Sequence, residues 1–244
     1  MKIKVISMKD SDRRESFSKI NKHLEFEFVD AIDGSNLSVE IMNDTRLINW
    51  ENLIYSSGAI GNALSHLALW NEAIDTNKPL TIMEDDLIVR FDFAEKQKFI
   101  LDNIDPNWDI IYWSYNFDSC LISDILDGAT QITIIFNQNL LRESIDKFKN
   151  CIDKVSSLKT HMCYGTSGYS ISPAGAKKFK ETCFPLTHKI WVANILGENV
   201  HLANGALDAA MIENFSVLNS YACFPPIAVT KNEHKESTDR KSVV

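Results

Sequence analysis

The sequence has few of the residues that form cross-links or favour turns. Its 244 residues include 9 glycines, 6 prolines and 5 cysteines, and no two cysteines have the C-x-x-C spacing. A collagen-like repeat and a disulfide-stapled miniprotein are therefore excluded. The odd number of cysteines also argues against a disulfide framework, so a reducing compartment is the simpler expectation.

Long apolar runs and basic clusters are missing as well. No stretch of about 18 apolar residues occurs, so we expect no membrane span, and the N-terminus lacks the apolar core of a signal peptide. Lysine and arginine total 25 against 33 aspartates and glutamates, a net charge of −8, which argues against a nucleic-acid partner. We expect a cytoplasmic protein with at most peripheral contact with the inner face of the membrane.

What remains is an ordinary globular composition with a mixed pattern. Short apolar runs predict strands at residues 3–6, 24–29, 80–83, 87–89, 110–113, 132–136 and 168–171. Helical spacing of apolar residues predicts a helix over residues 58–75, and Ser172-Pro173 predicts the start of another. The pattern indicates one α/β domain over residues 1–230 with a largely parallel sheet, and a flexible tail over residues 231–244.

Three adjacent acids, Glu84, Asp85 and Asp86, follow the predicted strand 80–83. On an extended backbone Glu84 and Asp86 point to one side, where they form half of a site for Mg²⁺ or Mn²⁺. A solvated acidic turn is the alternative. Because ligands of open α/β sheets bind just beyond the carboxyl ends of strands, the position favours a site.

Several segments together resemble glycosyltransferase family 25, the lipooligosaccharide galactosyltransferase family. They are VISMKDSDRR (5–14), VDAIDG (29–34), GAIGNALSH (58–66), MEDD (83–86), WDIIY (108–112) and YGTSGYSIS (164–172), with Asp208 beyond them. One departure is Asn62, where the family pattern has a cysteine. Each motif alone is weak, but their order and spacing together are specific.

The resemblance implies a GT-A-like nucleotide-sugar-binding fold. It further implies inverting transfer of a hexose, galactose first, from a UDP-sugar to a sugar hydroxyl of a lipooligosaccharide or LPS glycolipid acceptor. A divalent cation, Mn²⁺ or Mg²⁺, would stabilise the charge of the departing diphosphate. Glu84 and Asp86 are the candidate metal ligands, with Asp208 as a third ligand or as the base. Glu213 is a second candidate base, and a helix N-terminal acid is the structural alternative for Asp208.

Other residues are assigned to the two substrates. Arginine pairs well with phosphate, and Asp33 suits a ribose hydroxyl or an Asx turn. The candidate donor-binding residues are Ser7, Arg13, Ala31, Asp33, Ser65, His66 and Asp85. The candidate acceptor-binding residues are Tyr164, Thr166 and Ser167, in a loop of small and hydroxyl residues.

Two other functions remain open. A nucleotidyltransferase would be expected to carry a glycine-rich phosphate loop near the N-terminus, and residues 7–14 contain no glycine. A degenerate transferase fold that acts as a sugar-binding or scaffold protein is the second alternative, and retention of all three acids and Asp208 disfavours it.

Overall fold

The computed structural model describes residues 1–126, 128–195 and 197–231. Apart from Lys231, the predicted flexible tail lies outside the described residues. The strands are β1 Lys2–Ser7, β2 Glu27–Asp30, β3 Leu80–Glu84, β4 Leu87–Val89, β5 Ile110–Ser114, β6 Cys120–Leu126, β7 Thr130–Ile135, β8 Ser156–Cys163, β9 Gly168–Ile171, β10 Ile190–Ile195, β11 Glu198–Ala203, β12 Ser220–Phe224 and β13 Ala228–Thr230. The helices are α1 Arg13–Ile20, α2 Val39–Asn43, α3 Ser57–Thr76, α4 Phe93–Asn103, α5 Gln138–Phe148, α6 Pro173–Cys183 and α7 Leu207–Ile212.

The central sheet has the strand order β2-β1-β3-β9-β5-β12-β8-β6-β7. The α/β class is confirmed, but the expectation of a largely parallel sheet is wrong. Strand β1 is parallel to β2 and β3, and β5 is parallel to β12, whereas the remaining neighbours are antiparallel. Strand β9 runs antiparallel between β3 and β5, and a short apolar strand buried on both faces gives no sign of its direction.

Alternating side chains of the central strands face two separate cores. Ile82, Ile110 and Tyr112 pack into a core that also holds residues of α3, α6 and α7. Met83 and Ile111 face the opposite core, which includes residues of α1 and α4. The sheet is therefore covered by helices on both faces. Successive side chains of a strand point to opposite faces, and since both sets are apolar here, both faces must be buried.

Helix α3 confirms the helix predicted over residues 58–75. The hydroxyl of Ser56 accepts a hydrogen bond from the Ala59 N–H at 3.0 Å, and Asn77 ends the helix in the left-handed conformation with φ 50°. Strand β2 begins at Glu27, later than predicted, because residues 21–24 form a turn. Helix α1 begins at Arg13, soon after β1, and was not among the predicted helices.

The loop after β2 lies directly on the backbone of α3. A Cβ on Gly34 would lie 1.8 Å from the Ser57 carbonyl oxygen, and a Cβ on Gly61 would lie 2.4 Å from that of Ile32. Because the neighbouring atoms are backbone, neither contact is relieved by a side-chain rotation. The two glycines therefore set how closely the ends of β1 and β2 approach α3.

We expect Gly34→Ala to lower the free energy of unfolding by about 1–3 kcal/mol, because a methyl group meets fixed backbone there. Gly205→Ala is the matched control, since its Cβ would make an ordinary contact of 3.5 Å with Ile54. Chemical denaturation of both variants checks the difference. Equal stability of the two variants would show that the loop moves freely away from α3.

Candidate functional site

The carboxyl ends of β1, β2 and β3 meet at one edge of the sheet. Ser7 ends β1 and pairs with Asp30 at the end of β2, and Ile6 pairs with Glu84 at the end of β3. Asp85 and Asp86 form the turn that leads from β3 into β4. Parallel pairing therefore places the three acids beside the segment that follows β1.

Asp85 is held by two residues of that segment. Its Oδ2 accepts a hydrogen bond from the Ser7 hydroxyl at 2.6 Å, and its Oδ1 accepts one from Arg13 Nη1 at 3.1 Å. The Asp85 side chain is 9% exposed, whereas that of Arg13 is 38% exposed. The structure thus brings together three of the predicted donor-binding residues, and the Arg13 side chain among them is partly exposed.

Glu84 is anchored through one of its two oxygens. Oε1 accepts hydrogen bonds from Thr166 Oγ1 at 2.6 Å, Asn62 Nδ2 at 3.2 Å and His66 Nε2 at 3.4 Å. No hydrogen bond to Oε2 is formed by the part of the chain that the structure describes. Burial acts to raise the pKa of Glu84, but the hydrogen bonds from His66, Thr166 and Asn62 leave this pKa lowered.

Asp86 is anchored in the same way, through the other end of the chain. Its Oδ2 accepts a hydrogen bond from the Thr230 hydroxyl at 2.7 Å, and Thr230 belongs to β13, which pairs with β4. Oδ1 is buried and has no hydrogen-bond donor among residues 1–126, 128–195 and 197–231. Burial, with a further contribution from the Glu84 charge, raises the pKa of Asp86 to about 6.

These contacts give the chemistry of a partial cation site. One oxygen of Glu84 and one of Asp86 are left for a ligand, and hard cations prefer such oxygens. Within the described residues, no group of three or more histidine, cysteine, aspartate or glutamate side chains is arranged to hold a metal ion. The role of Asp208 as a third ligand therefore stays a prediction.

Asp208 instead contacts the loop between β8 and β9. Its Oδ2 accepts a hydrogen bond from the Gly165 N–H at 3.0 Å, and its Oδ1 accepts one from the Ala209 N–H at 2.8 Å in the first turn of α7. Gly165 has φ 103°, and a Cβ there would lie 2.6 Å from Asn116 Oδ1. Asp208 is thus held against the predicted acceptor loop by backbone donors.

The predicted acceptor loop joins Asp208 to the acidic turn. Thr166 donates to Glu84, and the Ser167 hydroxyl is buried against that of Ser114 at 3.0 Å. Tyr164 is half-buried, and burial, with a smaller effect of the Asp208 charge, raises its pKa to about 12. Tyr164 and Thr166 therefore lie between the two acidic groups, while Ser167 points into the protein interior.

The remaining predicted residues have defined contacts. The Ala31 N–H donates to the Ser7 carbonyl at 2.9 Å. The exposed Asp33 forms the Asx turn, accepting from the N–H and hydroxyl of Ser35. The Ser65 hydroxyl accepts from the Ile32 N–H at 2.8 Å and fixes the same loop to α3. Glu213 lies just after α7, with its Oε2 3.8 Å from Lys189 Nζ.

Comparison with protein families identifies the chain. Residues 1–193 match the family described as Glycosyltransferase family 25 (LPS biosynthesis protein). The chain belongs to glycosyltransferase family 25. The family-25 match contains the acidic turn and the 164–167 loop, whereas Asp208, Glu213 and Thr230 lie beyond it.

Two further comparisons cover the chain to different extents. Procollagen galactosyltransferase 2 of Homo sapiens is 32% identical over 117 residues, which are 41% of this family-25 chain and 18% of the human protein. This chain therefore spans about a fifth of that relative. The crystal structure of A197 from STIV aligns with 91% of this chain and 81% of its own, with 12% identity and a TM-score of 0.37; neither value is high enough to assign a common fold.

The sequence analysis did not predict that Asn62 and Thr230 would contact the acidic turn. Asn62 stands where the family-25 pattern has a cysteine, and its amide donates to Glu84. Its position on the same helix face as Ser65 and His66 was the signal that connects it to the site. Thr230 offered no comparable signal, because it reaches Asp86 only through the pairing of β13 with β4.

Among the residues that the structure describes, no helix has both the length and the apolarity to cross a bilayer.

Asp86→Asn is expected to stabilise the metal-free protein near neutral pH. Folding raises the pKa of Asp86 from 3.8 to about 6, so the ionised form is disfavoured in the folded state, and stability falls as the pH rises through that window. The neutral amide removes this cost and should raise the free energy of unfolding by about 1–2 kcal/mol, a value below the full pKa difference because Asp86 as a whole is half-buried.

Urea denaturation at several pH values between about 4 and 7 measures this effect. The exposed Asp102→Asn, on α4, is the matched control and should follow the wild type. A loss of stability in Asp86→Asn would mean that the carboxylate is stabilised by contacts stronger than the Thr230 hydrogen bond.

Proposed function

We propose that this family-25 chain is a glycosyltransferase that moves a hexose, galactose first, from a UDP-sugar to a sugar hydroxyl of a glycan acceptor. The observation that carries the proposal is the pair Glu84 and Asp86, each anchored through one oxygen with the other left for a ligand. Membership of family 25 supports the reaction class. The name of the human relative supports galactose as the sugar.

The acidic pair fits a divalent cation, Mn²⁺ or Mg²⁺. Asp86 Oδ1 is a buried acceptor without a donor among the described residues, which is the state expected of an oxygen whose partner is a cation. Two protein carboxylates suffice, because such ions usually complete their shell with substrate phosphates and water. When bound, the cation would neutralise the charge that develops on the diphosphate.

The donor side of the site is the edge formed by β1, β2 and β3. We propose that this half of the sheet binds the nucleotide, as expected of a GT-A-like fold, and that the nucleotide lies beside Ser7, Ala31 and Asp33. Arg13 is partly exposed while it holds Asp85, so its guanidinium is placed to contact a phosphate as well. Ser65 supports this edge by fixing the Ile32 backbone.

The acceptor side is the loop 164–167 with Asp208. We assign Asp208 as the base of an inverting displacement, in which it takes the proton of the attacking sugar hydroxyl. Its support is the contact with the Gly165 N–H, which fixes Asp208 against the predicted acceptor loop. Glu213 lies near Lys189 instead. Tyr164 and Thr166 would border the acceptor, which the family description suggests is an LPS-type glycan. A reaction on the cytoplasmic side is part of this proposal.

Calorimetry with UDP, in the presence and absence of Mn²⁺, tests the donor site. Binding should strengthen with Mn²⁺ in the wild type and in Asp102→Asn, and Asp86→Asn should lose that gain. Metal-dependent hydrolysis of UDP-galactose by Asp86→Asn should fall by about 100-fold or more, as expected when a charge-stabilising group is lost.

Two outcomes would contradict this donor site. Unchanged hydrolysis in Asp86→Asn would remove Asp86 from the cation site. Absence of any response to UDP, metal or a panel of nucleotide sugars would favour the degenerate sugar-binding or scaffold protein.

The base assignment has its own test. Asp208→Asn should keep Mn²⁺-dependent UDP binding and lose transfer by about 100-fold or more, because the attacking hydroxyl keeps its proton. Glu213→Gln should retain transfer and serves as the control. If Asp208→Asn instead weakens Mn²⁺-dependent binding, Asp208 acts with the cation; if Glu213→Gln alone loses transfer, Glu213 is the base.

A further inference from the structure

A buried chain of hydrogen bonds ends at Glu84. Trp70 Nε1 lies 2.8 Å from the Tyr169 hydroxyl oxygen, which lies 2.7 Å from His66 Nδ1. On the other side of the imidazole ring, His66 Nε2 lies 3.4 Å from Glu84 Oε1. Trp70, His66 and Tyr169 are all fully buried, so water does not compete for these contacts.

The donor and acceptor at each hydrogen bond of this series follow from its first member, Trp70. An indole N–H can only donate, so the Tyr169 oxygen accepts from Trp70. The hydroxyl hydrogen of Tyr169 then has His66 Nδ1 as its acceptor. Nδ1 therefore carries no hydrogen, and Nε2 carries the one that is donated to Glu84.

The opposite direction leaves two polar groups unsatisfied. A hydrogen on Nδ1 would point at the Tyr169 oxygen, and the tyrosine hydroxyl would then have no acceptor among the described residues. A bare Nε2 would also face the carboxylate oxygen of Glu84. Each unmade hydrogen bond of a buried group is costly. The His66 ring also stacks on that of Tyr169, with centroids 5.6 Å apart and 23° between the planes.

Tyr112 shows that this arrangement is specific to Tyr169. Its ring centroid lies 6.0 Å from that of Tyr169, and it is equally buried. Yet its hydroxyl has no hydrogen-bond partner in the described part of the chain. Two neighbouring buried tyrosines therefore differ in their hydrogen bonds, since of the two hydroxyls only that of Tyr169 is bonded to His66 and Trp70.

We infer that Trp70 and Tyr169 are positioning residues that hold His66 as an Nε2–H donor and thereby fix Glu84 with Oε2 left for the donor substrate and its cation. The direction of the hydrogen bonds stands on the protein alone, whereas their effect on ligand binding rests on the proposed function. Mutation of a residue that hydrogen-bonds to a metal ligand commonly lowers metal affinity by about 10–100-fold.

The first experiment needs no ligand. In wild-type protein labelled with ¹⁵N-histidine, long-range ¹H–¹⁵N correlation distinguishes a bare Nδ1 from a protonated one, and the spectrum of His66→Asn identifies the His66 signals. The expected result is a hydrogen on Nε2 and none on Nδ1. A neutral ring protonated on Nδ1, or one protonated on both nitrogens, would overturn the inference.

The second experiment compares Tyr169→Phe with Tyr112→Phe. Loss of the Tyr169 hydroxyl should leave His66 as a mixture of its Nδ1–H and Nε2–H tautomers. It should also weaken Mn²⁺-dependent UDP binding, measured by calorimetry, about tenfold. Tyr112→Phe should change neither the spectrum nor the affinity. Thermal melts establish that both variants are folded, and should Tyr169→Phe fail to fold, the wild-type spectrum alone decides.

The outcomes separate the two proposals. If the wild type binds neither UDP nor Mn²⁺, the proposed function fails while the His66 spectrum still tests the hydrogen-bond chain. If the wild type binds both and Tyr169→Phe binds them equally well with an unchanged spectrum, the positioning role is wrong and the donor site stands.

Discussion

Compensation of three like charges at the end of strand β3 is the constraint on which the site depends. Adjacent carboxylates repel one another, and partial burial makes each more costly to ionise. Asp85 meets Arg13 and Ser7, and Glu84 meets three donors at one oxygen. Asp86 receives a single hydroxyl, from Thr230, and its charge is the least compensated of the three.

The rest of the fold supplies these compensating groups from separate elements. Parallel pairing of β1 with β3 brings the turn with Arg13 to Asp85. Close contact of Gly34 and Gly61 seats the loop after β2 on α3, and α3 carries Asn62 and His66 to Glu84. The loop before β9 supplies Thr166. Packing around the sheet thus determines which carboxylate oxygens accept hydrogen bonds from the protein and which are left for a ligand.

Much of the fold could be predicted because local patterns determine it. Helix α3 has helical apolar spacing, and β3 is an apolar run that ends in acids. Strand direction was beyond reach, since the apolar segment of β9 reads the same in either orientation, and the sheet is mixed. The acidic turn was found from its position after a strand, whereas Asn62 was missed although it shares a helix face with Ser65 and His66. Thr230 reaches Asp86 only through the pairing of β13 with β4, which no local pattern records.

The pairing of β13 with β4 has a consequence for how the protein is made. Thr230 is the last residue of the last described strand, and it supplies the hydroxyl that Asp86 receives. While the ribosome is still synthesising the preceding strands, the emerging polypeptide holds Asp86 without this donor. The acidic turn therefore receives this hydrogen bond only after translation has passed residue 230 and β13 has paired with β4.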